Sequence, residues 1–231
     1  MSACRKGGGS RAAYRALARR RPELFANPPG GVVEILRADA DIRRAQQAAK
    51  KARRKHGLPT ADLRVGLLLH DPYLLVVRDA VRFPDGALGL YNRLVTEPNV
   101  VVLPVLDGRV ALIHRFRHGT RRFHYEAPRG IAERPQDLAA DARRELAEEI
   151  GAAAKALIDL GELHPYSGIC NEVMRLYLAR IGRLGEPERH EAIARIVLFS
   201  PAELDKAIDK GAVTDAPTLA AVLRAKLRGL L

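Results

Sequence analysis

GIAERPQDLAADARRELAEEIGA, residues Gly130–Ala152, is the stretch that decides the fold of this chain. Asp137 can accept hydrogen bonds from the free amides of a following helical turn, and Gly151 suits a left-handed helix stop. Because an α-helix has 3.6 residues per turn, apolar side chains at every fourth position form one face. The sequence therefore predicts a helix of about three turns at Leu138–Ile150, with this face built from Leu138, Ala142, Leu146 and Ile150.

Three carboxylates share one side of this predicted helix. Glu145, Glu148 and Glu149 are spaced i, i+3 and i+4, which places them next to one another. Carboxylates this close raise each other's pKa values unless a cation holds them ionised. Hard oxygen ligands favour Mg²⁺ or Mn²⁺ over zinc. The spacing alone is also typical of a solvated acidic face, so the surroundings must decide between the two.

The surroundings favour the metal site. The stretch resembles the Nudix box, G-x5-E-x7-R-E-U-x-E-E-x-G-U, where U is apolar. One position departs from it, because Gln136 stands where the family usually has its first Glu, which supports the box arginine. A neutral amide gives a weaker hydrogen bond there, and the neighbours Asp137 and Glu133 are candidates to compensate. The positions in register are Gly130, Arg144, Glu145, Leu146, Glu148, Glu149, Gly151 and Ala152.

Size and charge bound the organisation of the chain. Its 231 residues, 47% hydrophobic, suffice for one sizeable domain and an appendage. Residues 1–65 hold 16 Lys and Arg against five Asp and Glu, so this segment carries +11 of the net charge of +12 of the whole chain. The remainder is therefore nearly neutral, which disfavours a nucleic-acid binder. No apolar run of about 18 residues predicts a membrane span, and Cys4 and Cys170 fit a reduced, cytoplasmic protein.

The basic character belongs to an N-terminal extension, which we place at residues 1–60, partly helical or flexible. It precedes a domain at 61–231 that the resemblance implies is a Nudix hydrolase domain. Ala38–His56 is rich in helix formers and predicts a basic helix that ends at Gly57. Such a helix can contact a polyanion or a partner, or it can simply be solvated. We favour the solvated helix, because no nucleic-acid-binding module accompanies it.

Short apolar and β-branched runs separated by turn signals predict strands after this extension. Asp107-Gly108 between two such runs is a hairpin signal, and Ser200 is placed to cap a helix from Pro201. A last helix is expected from about Pro217 to Arg228. The pattern predicts an α/β (α+β) fold, an α/β/α sandwich with a mixed sheet, with strands at Leu74–Arg82, Leu88–Leu94, Val100–Leu106, Arg109–Phe116, Phe123–Glu126, Ala156–Leu163, Met174–Ile181 and Ile193–Phe199.

The resemblance extends beyond the box, over roughly residues 72–228, to the ADP-ribose pyrophosphatase branch of the Nudix hydrolases. Arg115-Phe116-Arg117 stands where the branch has a Q-Y-R-like triplet, and Glu126–Gly130 stands where it has E-x-P-A-G. Gly211–Thr218 is similar to its closing G-x-I-x-D-A-x-T segment. In the loop at 164–172, Gly168 and Glu172 are in place, but Ser167 replaces the proline that often marks ADP-ribose specificity.

For catalysis, the resemblance implies a metal held by Glu145 and Glu149, with Glu148 as a direct or water-mediated ligand. It adds the backbone carbonyl of Arg129 as a further ligand, and it implies that Arg144 orients the glutamates. A divalent ion neutralises the pyrophosphate and acidifies bound water.

For the general base, the branch uses a Glu on a loop before the final strand. Glu191 is favoured over Glu186 and Glu188, and His190 is an alternative because its pKa lies near neutrality.

For substrate binding, Arg117 can offer a bidentate fork to a phosphate, or it can be a surface arginine. Glu126 either accepts hydrogen bonds from substrate or braces its loop. The side chain of Arg129 either reaches a phosphate or points to solvent, and Glu172 completes the expected set.

The expected function is Mg²⁺- or Mn²⁺-dependent hydrolysis of a nucleoside diphosphate linked to another moiety, with ADP-ribose or a nucleotide sugar as substrate. The alternatives are a Nudix-fold nucleotide-binding module without turnover and an RNA 5′-end pyrophosphohydrolase. The branch also suggests a homodimer. Nucleic-acid contact by the basic extension has no support in the sequence, and no membrane partner is expected.

Overall fold

The computed structural model describes residues 8–71, 74–134, 136–188 and 192–231, and its contacts divide the chain into two units. The first contains the residues up to Thr96 together with Tyr166–Asn171, and the second contains Glu97–Pro165 and Glu172–Leu231. The elements of the first unit are helices α1 (Gly8–Arg20) and α2 (Asp39–Lys55), a 3₁₀ turn (Pro22–Phe25), and strands β1 (Glu34–Leu36), β2 (Gly66–His70), β3 (Leu75–Arg82) and β4 (Leu88–Val95).

The first unit is built on β3. Strand β4 pairs along the whole of one edge of β3, while β1 and β2 pair with successive parts of the other, all antiparallel. Helix α1 buries Tyr14 and Leu17, and α2 buries Ile42 and Ala45. Where the sequence favoured a solvated helix, the structure thus packs both helices of the described N-terminal segment. The domain boundary between residues 60 and 61 stays a prediction.

The second unit holds a mixed sheet in the order β11-β6-β5-β10-β9, to which β7 and β8 add at β6 and β5. The pairing of β5 with β10 is parallel, and the other pairings are antiparallel. The elements are strands β5 (Asn99–Leu106), β6 (Arg109–Arg117), β7 (Arg122–Glu126), β8 (Arg129–Ile131), β9 (Ala154–Leu163), β10 (Met174–Ile181) and β11 (Ile193–Phe199), and helices α3 (Leu138–Ile150), α4 (Pro201–Asp209) and α5 (Ala216–Leu227).

Alternate residues of β5 face opposite layers of helices. Val100 and Val102 pack in one core cluster with the apolar face of α3. Val101 and Leu103 pack in the other with residues of α4 and α5. A strand buried on both faces is apolar throughout, which explains the continuous run of valines. The predicted α/β/α sandwich with a mixed sheet is confirmed for this unit.

The local signals that fix α3 are also confirmed. The Asp137 side chain accepts from the Ala140 amide at 3.0 Å, and Gly151 closes the helix with a φ of +59°. Asp107 and Gly108 both have positive φ and join β5 to β6 in the expected hairpin. The short strands β1, β2 and β8 lacked a period-2 pattern long enough to predict. None of the helices in the described part of the chain has the length and apolar character to cross a bilayer.

Candidate active site

The glutamates of α3 are not a solvated acidic face. Glu149 is 1% exposed and Glu145 is 6% exposed, whereas the side chain of Glu148 is 30% exposed. Burial of ionised carboxylates is unfavourable unless they are paired or hydrogen-bonded. The partners that the structure supplies therefore define the site.

Glu149 lies between two donors from other parts of the second unit. Nη1 of Arg115, at the end of β6, donates to its Oε1, and the Arg129 amide donates to Oε2 at 3.0 Å. Burial raises the pKa of Glu149 from 4.5 to about 7, against the opposing charge of Arg115. Arg115 was quoted in the family triplet, but no role was predicted for it, because the pairing depends on β6 lying beside α3.

Arg144 holds the other two glutamates. Its Nη2 lies 2.7 Å from Oε1 of Glu145, and its Nη1 donates to Oε2 of Glu148 at 2.6 Å. Burial lowers the pKa of Arg144, but the charges of these carboxylates outweigh it and the net shift is upward. Nη2 also donates to the Ile131 carbonyl oxygen at 3.0 Å. This is the placement that an orienting role requires, and that role stays a prediction.

The compensation considered for Gln136 is to be sought at Nε of Arg144, near which two further carboxylates lie. Of the two neighbours considered, Glu133 lies 3.9 Å from Nε of Arg144, while Asp137 caps the helix instead. Asp141, fully buried, lies closer, with its Oδ1 3.6 Å from Nε. Sequence reasoning missed Asp141, although its i, i+3 spacing from Arg144 is the signal that could have found it.

Gly130 is fixed by a close approach. A Cβ atom added there would lie 2.1 Å from Oε1 of Glu145, which no real side chain tolerates. The absence of a side chain at this position thus lets the Glu145 carboxylate pack against the backbone of β8.

A second network joins the predicted substrate-binding residues. Nε and Nη2 of Arg117 donate to Oε2 of Glu126 at 2.8 and 2.5 Å. Arg129 lies 3.4 Å from the same carboxylate and 3.1 Å from Asp215. The Arg129 side chain thus points to these two carboxylates and not to solvent. Glu126, 1% exposed, contacts both arginines. Asp215 accepts from Oγ1 of Thr218 at 2.7 Å.

Glu172 is brought to the same region. Its Oε1 accepts from Nδ2 of Asn99 at 2.7 Å, a partner that the sequence did not suggest. Burial raises the pKa of Glu172, while the nearby charge of Arg129 acts in the opposite direction. Within the predicted substrate set, Arg117 and Arg129 therefore both contact Glu126, and the charge of Arg129 also acts on Glu172.

The loop that carries the candidate bases is fastened to the end of α3. The Gly185 amide donates to the Ile150 carbonyl oxygen, and the Glu188 amide to that of Glu148, both at 2.9 Å. The side chains of Glu186 and Glu188 are exposed. The favoured base, Glu191, and the alternative His190 lie outside the described residues.

The donor chemistry of the site fits a divalent cation. Among the described residues, no three His, Cys, Asp or Glu side chains converge as a preformed metal cluster, and arginines pair with the carboxylates of α3. The carboxylates outnumber the guanidiniums by seven to four, and such an excess suits a hard cation. The groups counted are Glu126, Glu133, Asp141, Glu145, Glu148, Glu149 and Asp215 against Arg115, Arg117, Arg129 and Arg144.

Comparisons with known proteins identify the family to which the site-bearing part of the chain is similar. The NUDIX domain model matches residues 95–222. The ADP-ribose pyrophosphatase of Mycobacterium tuberculosis is 32% identical over 155 residues, which cover 63% of this chain and 73% of the relative. The ADP-ribose pyrophosphatase of Bacillus subtilis is 28% identical over 162 residues, which cover 68% and 86%.

A solved structure described as an ADP compounds hydrolase shares the fold. It superposes with a TM-score of 0.63 at 21% identity, over 73% of this chain and 95% of its own. The family model spans more than half of the present chain. The chain therefore belongs to the Nudix family. It is a pyrophosphohydrolase of the branch that resembles the ADP-ribose pyrophosphatases.

Proposed function

We propose that this protein uses Mg²⁺ or Mn²⁺ to hydrolyse the pyrophosphate bond of a nucleoside diphosphate linked to another moiety, with ADP-ribose as the preferred substrate and nucleotide sugars next. The observation that carries the proposal is the pair of buried carboxylates, Glu145 and Glu149, on a helix that also presents Glu148. The names of both sequence relatives support the choice of ADP-ribose.

Glu145 and Glu149 would hold the cation, with Glu148 and the carbonyl oxygen of Arg129 as further ligands. The bound ion supplies charge neutralisation at the diphosphate and acidifies a water molecule. Arg144 keeps Glu145 and Glu148 aimed to one side through its bonds of 2.7 and 2.6 Å. Because Arg115 pairs with Glu149, loading the cation requires this guanidinium to release the carboxylate, at least in part.

Arg117 and Arg129 are the proposed phosphate-binding cations. Both contact Glu126, so a substrate phosphate would share their donors with this carboxylate. A planar guanidinium has five N–H donors, and Glu126 accepts from only two atoms of Arg117. Glu172 is proposed to act beside them.

Glu191 is proposed as the general base, before Glu186, Glu188 and His190. The two backbone bonds that fasten the preceding segment to Ile150 and Glu148 support this choice, because they start the loop at the glutamate-bearing end of α3. A cytoplasmic location and a homodimer are further proposals. Contact of the N-terminal extension with nucleic acid has no supporting observation and is not proposed.

A substrate panel tests the proposal. The full chain is incubated with ADP-ribose, nucleotide sugars and 5′-triphosphate RNA, each with Mg²⁺, with Mn²⁺ and with EDTA. The expected result is AMP and a phosphorylated sugar from ADP-ribose, only when a divalent ion is present. Nucleotide binding without product, or cleavage of the RNA end alone, would instead establish one of the two alternatives.

A further inference from the structure

Helix α1 carries a row of like charges in the first unit. Arg11, Arg15 and Arg19 follow one another at i, i+4 and i+8, which places their side chains on one side of the helix. Like charges at this spacing destabilise a helix. A row of three is therefore stabilised by an anion that neutralises it.

Only one carboxylate among the described residues does so. The Nη2 atoms of Arg11 and Arg15 both contact Oδ1 of Asp39, at the start of α2, the latter at 2.9 Å. Arg19 makes no ion pair within the described part of the chain. The two guanidiniums that meet on one oxygen atom thus leave most of the positive charge of this helix face uncompensated.

The row lines a cavity of about 220 Å³ between α1 and the segment that leads into α2. Arg37, which makes no ion pair with any described residue, adds a fourth guanidinium to the wall, and Tyr14 also lines it. The Tyr14 hydroxyl donates to the buried carboxylate of Asp79, so this acid is already engaged by the tyrosine and by Arg93.

The rest of the lining is apolar, from Ala18, Ile42 and Val65. Ile42 is 3% exposed and Val65 is 2% exposed, so they form a packed floor. The cavity therefore combines an apolar floor with a wall of four guanidiniums and the tyrosine. Arginine forks match phosphate oxygens, while an apolar floor suits the body of a small organic group.

We propose that this cavity is a binding site for a small phosphomonoester, distinct from the glutamate site of the second unit. The phosphate is held by Arg19 and Arg37, with Arg11 and Arg15 beside it, and the organic part lies on the apolar floor. Convergence of the arginines on one cavity favours a single phosphate group over the extended row of phosphates in a nucleic acid, which needs a groove that tracks the backbone.

Calorimetric titration of the full-length protein with AMP tests the site. EDTA is present, so that no divalent ion supports binding at the glutamate site. The informative variant is Arg19→Gln with Arg37→Gln, and the matched control is Arg20→Gln with Arg54→Gln, which removes the same charge from exposed arginines that do not line the cavity. Adenosine and inorganic phosphate are titrated in parallel, and circular dichroism checks folding.

We expect wild-type protein and the control to bind AMP with affinities within about twofold of each other, and the cavity variant to bind it at least about tenfold more weakly, a loss of about 1.4 kcal/mol. AMP should also bind more tightly than adenosine or inorganic phosphate. Equal affinity of the cavity variant and the wild type would overturn the proposal. So would binding of a single-stranded oligonucleotide that AMP does not displace.

The outcome is independent of the proposed catalytic function. The titration measures no turnover, and the cavity variant leaves every residue of the glutamate site unchanged. A chain without hydrolase activity can therefore still show the arginine site, and an active hydrolase can lack it.

Discussion

The two units of the chain handle charge in opposite ways. In the second unit, Glu145 and Glu149 are buried and each meets a guanidinium, with carboxylates in excess. In the first unit, Arg11 and Arg15 share a single half-exposed Asp39, with guanidiniums in excess. Buried charges must have an ionic or hydrogen-bonding partner, because desolvation of an unpaired ion is costly. Exposed charges can stay unmatched until a ligand arrives.

This difference indicates which part of the chain binds a cation most favourably and which part binds an anion. A cation gains most where carboxylates have already been desolvated, as around Glu149, whose pKa burial raises to about 7. An anion gains most where guanidiniums are held close together with too few counter-ions, as on α1, where a single Asp39 serves Arg11 and Arg15. The chain has a net charge of +12, but it combines an acidic site in the second unit with a basic site in the first.

The largest expected effect is on turnover. Glu149→Gln keeps the shape of the side chain but removes the negative charge for the cation, and we expect the rate of ADP-ribose hydrolysis to fall at least about a hundredfold. Product formation with Mg²⁺ is the measurement. Glu162→Gln, an exposed position on β9, is the control that should stay near the wild-type rate. An unimpaired Glu149→Gln enzyme would remove Glu149 from the cation site.

The next effect is on the pH dependence of the unfolding free energy of the metal-free protein. The folded pKa of Glu149, about 7, exceeds its ordinary 4.5, so between these values the folded state binds more protons. The free energy of unfolding therefore falls as pH rises from about 4.5 to about 7, by about 3 kcal/mol at most. Arg115, Glu145 and the Arg129 amide are the groups that modulate this titration.

Denaturant unfolding in EDTA at several pH values measures that slope. Glu149→Gln has no titratable carboxyl at this position and should flatten the curve in the same interval. If the two proteins give parallel curves, Glu149 is not the group that titrates. Another residue of the second unit must then be the desolvated carboxylate.

A smaller effect is expected for the close approach at β8. Gly130→Ala would place a Cβ atom 2.1 Å from Glu145, so the carboxylate must shift, at a cost of about 1–3 kcal/mol in unfolding free energy and with a lower rate. Gly119→Ala is the matched control, since no atom lies within 4 Å of its added Cβ. Equal stabilities of the two variants would show that Glu145 is not packed against Gly130.

The smallest effect is expected in the first unit. Tyr14→Phe removes the hydroxyl that donates to buried Asp79, but Arg93 still lies 2.6 Å from this carboxylate. We therefore expect a loss of only about 1 kcal/mol. Thermal unfolding is the measurement, and Tyr166→Phe, at a position 67% exposed, should be neutral. A loss as large as that of Gly130→Ala would mean that the first unit also depends strongly on the partners of a buried charge.

Much of the fold was predictable because its signals are local. The bounds Leu138–Ile150, Met174–Ile181 and Ile193–Phe199 follow from periodicity and caps within the segments themselves. Strands β1 and β8, of three residues each, carry no such period, because their existence depends on the strand beside them. The packing of α2 depends equally on Ile42 and Ala45 meeting a sheet formed later in the chain.

The site divides in the same way. The i, i+3, i+4 spacing of the glutamates and the match to the Nudix box were sufficient to predict the candidate cation ligands, and Asp141 was within reach of the same spacing argument. The contact of Arg129 with Glu126 and Asp215 was not, since Asp215 belongs to the cap of α5, far along the chain.

The sequence by itself determined the helix α3, its two ends and the side of it on which Glu145, Glu148 and Glu149 lie, because these depend on neighbours within four residues. Only the tertiary structure decided which arginine forms an ion pair with which carboxylate. Arg115 and Glu149 are 34 residues apart, and Arg11 and Asp39 are 28 apart. Their meeting depends on how strands and helices pack, and a pattern read along one segment carries no information about that.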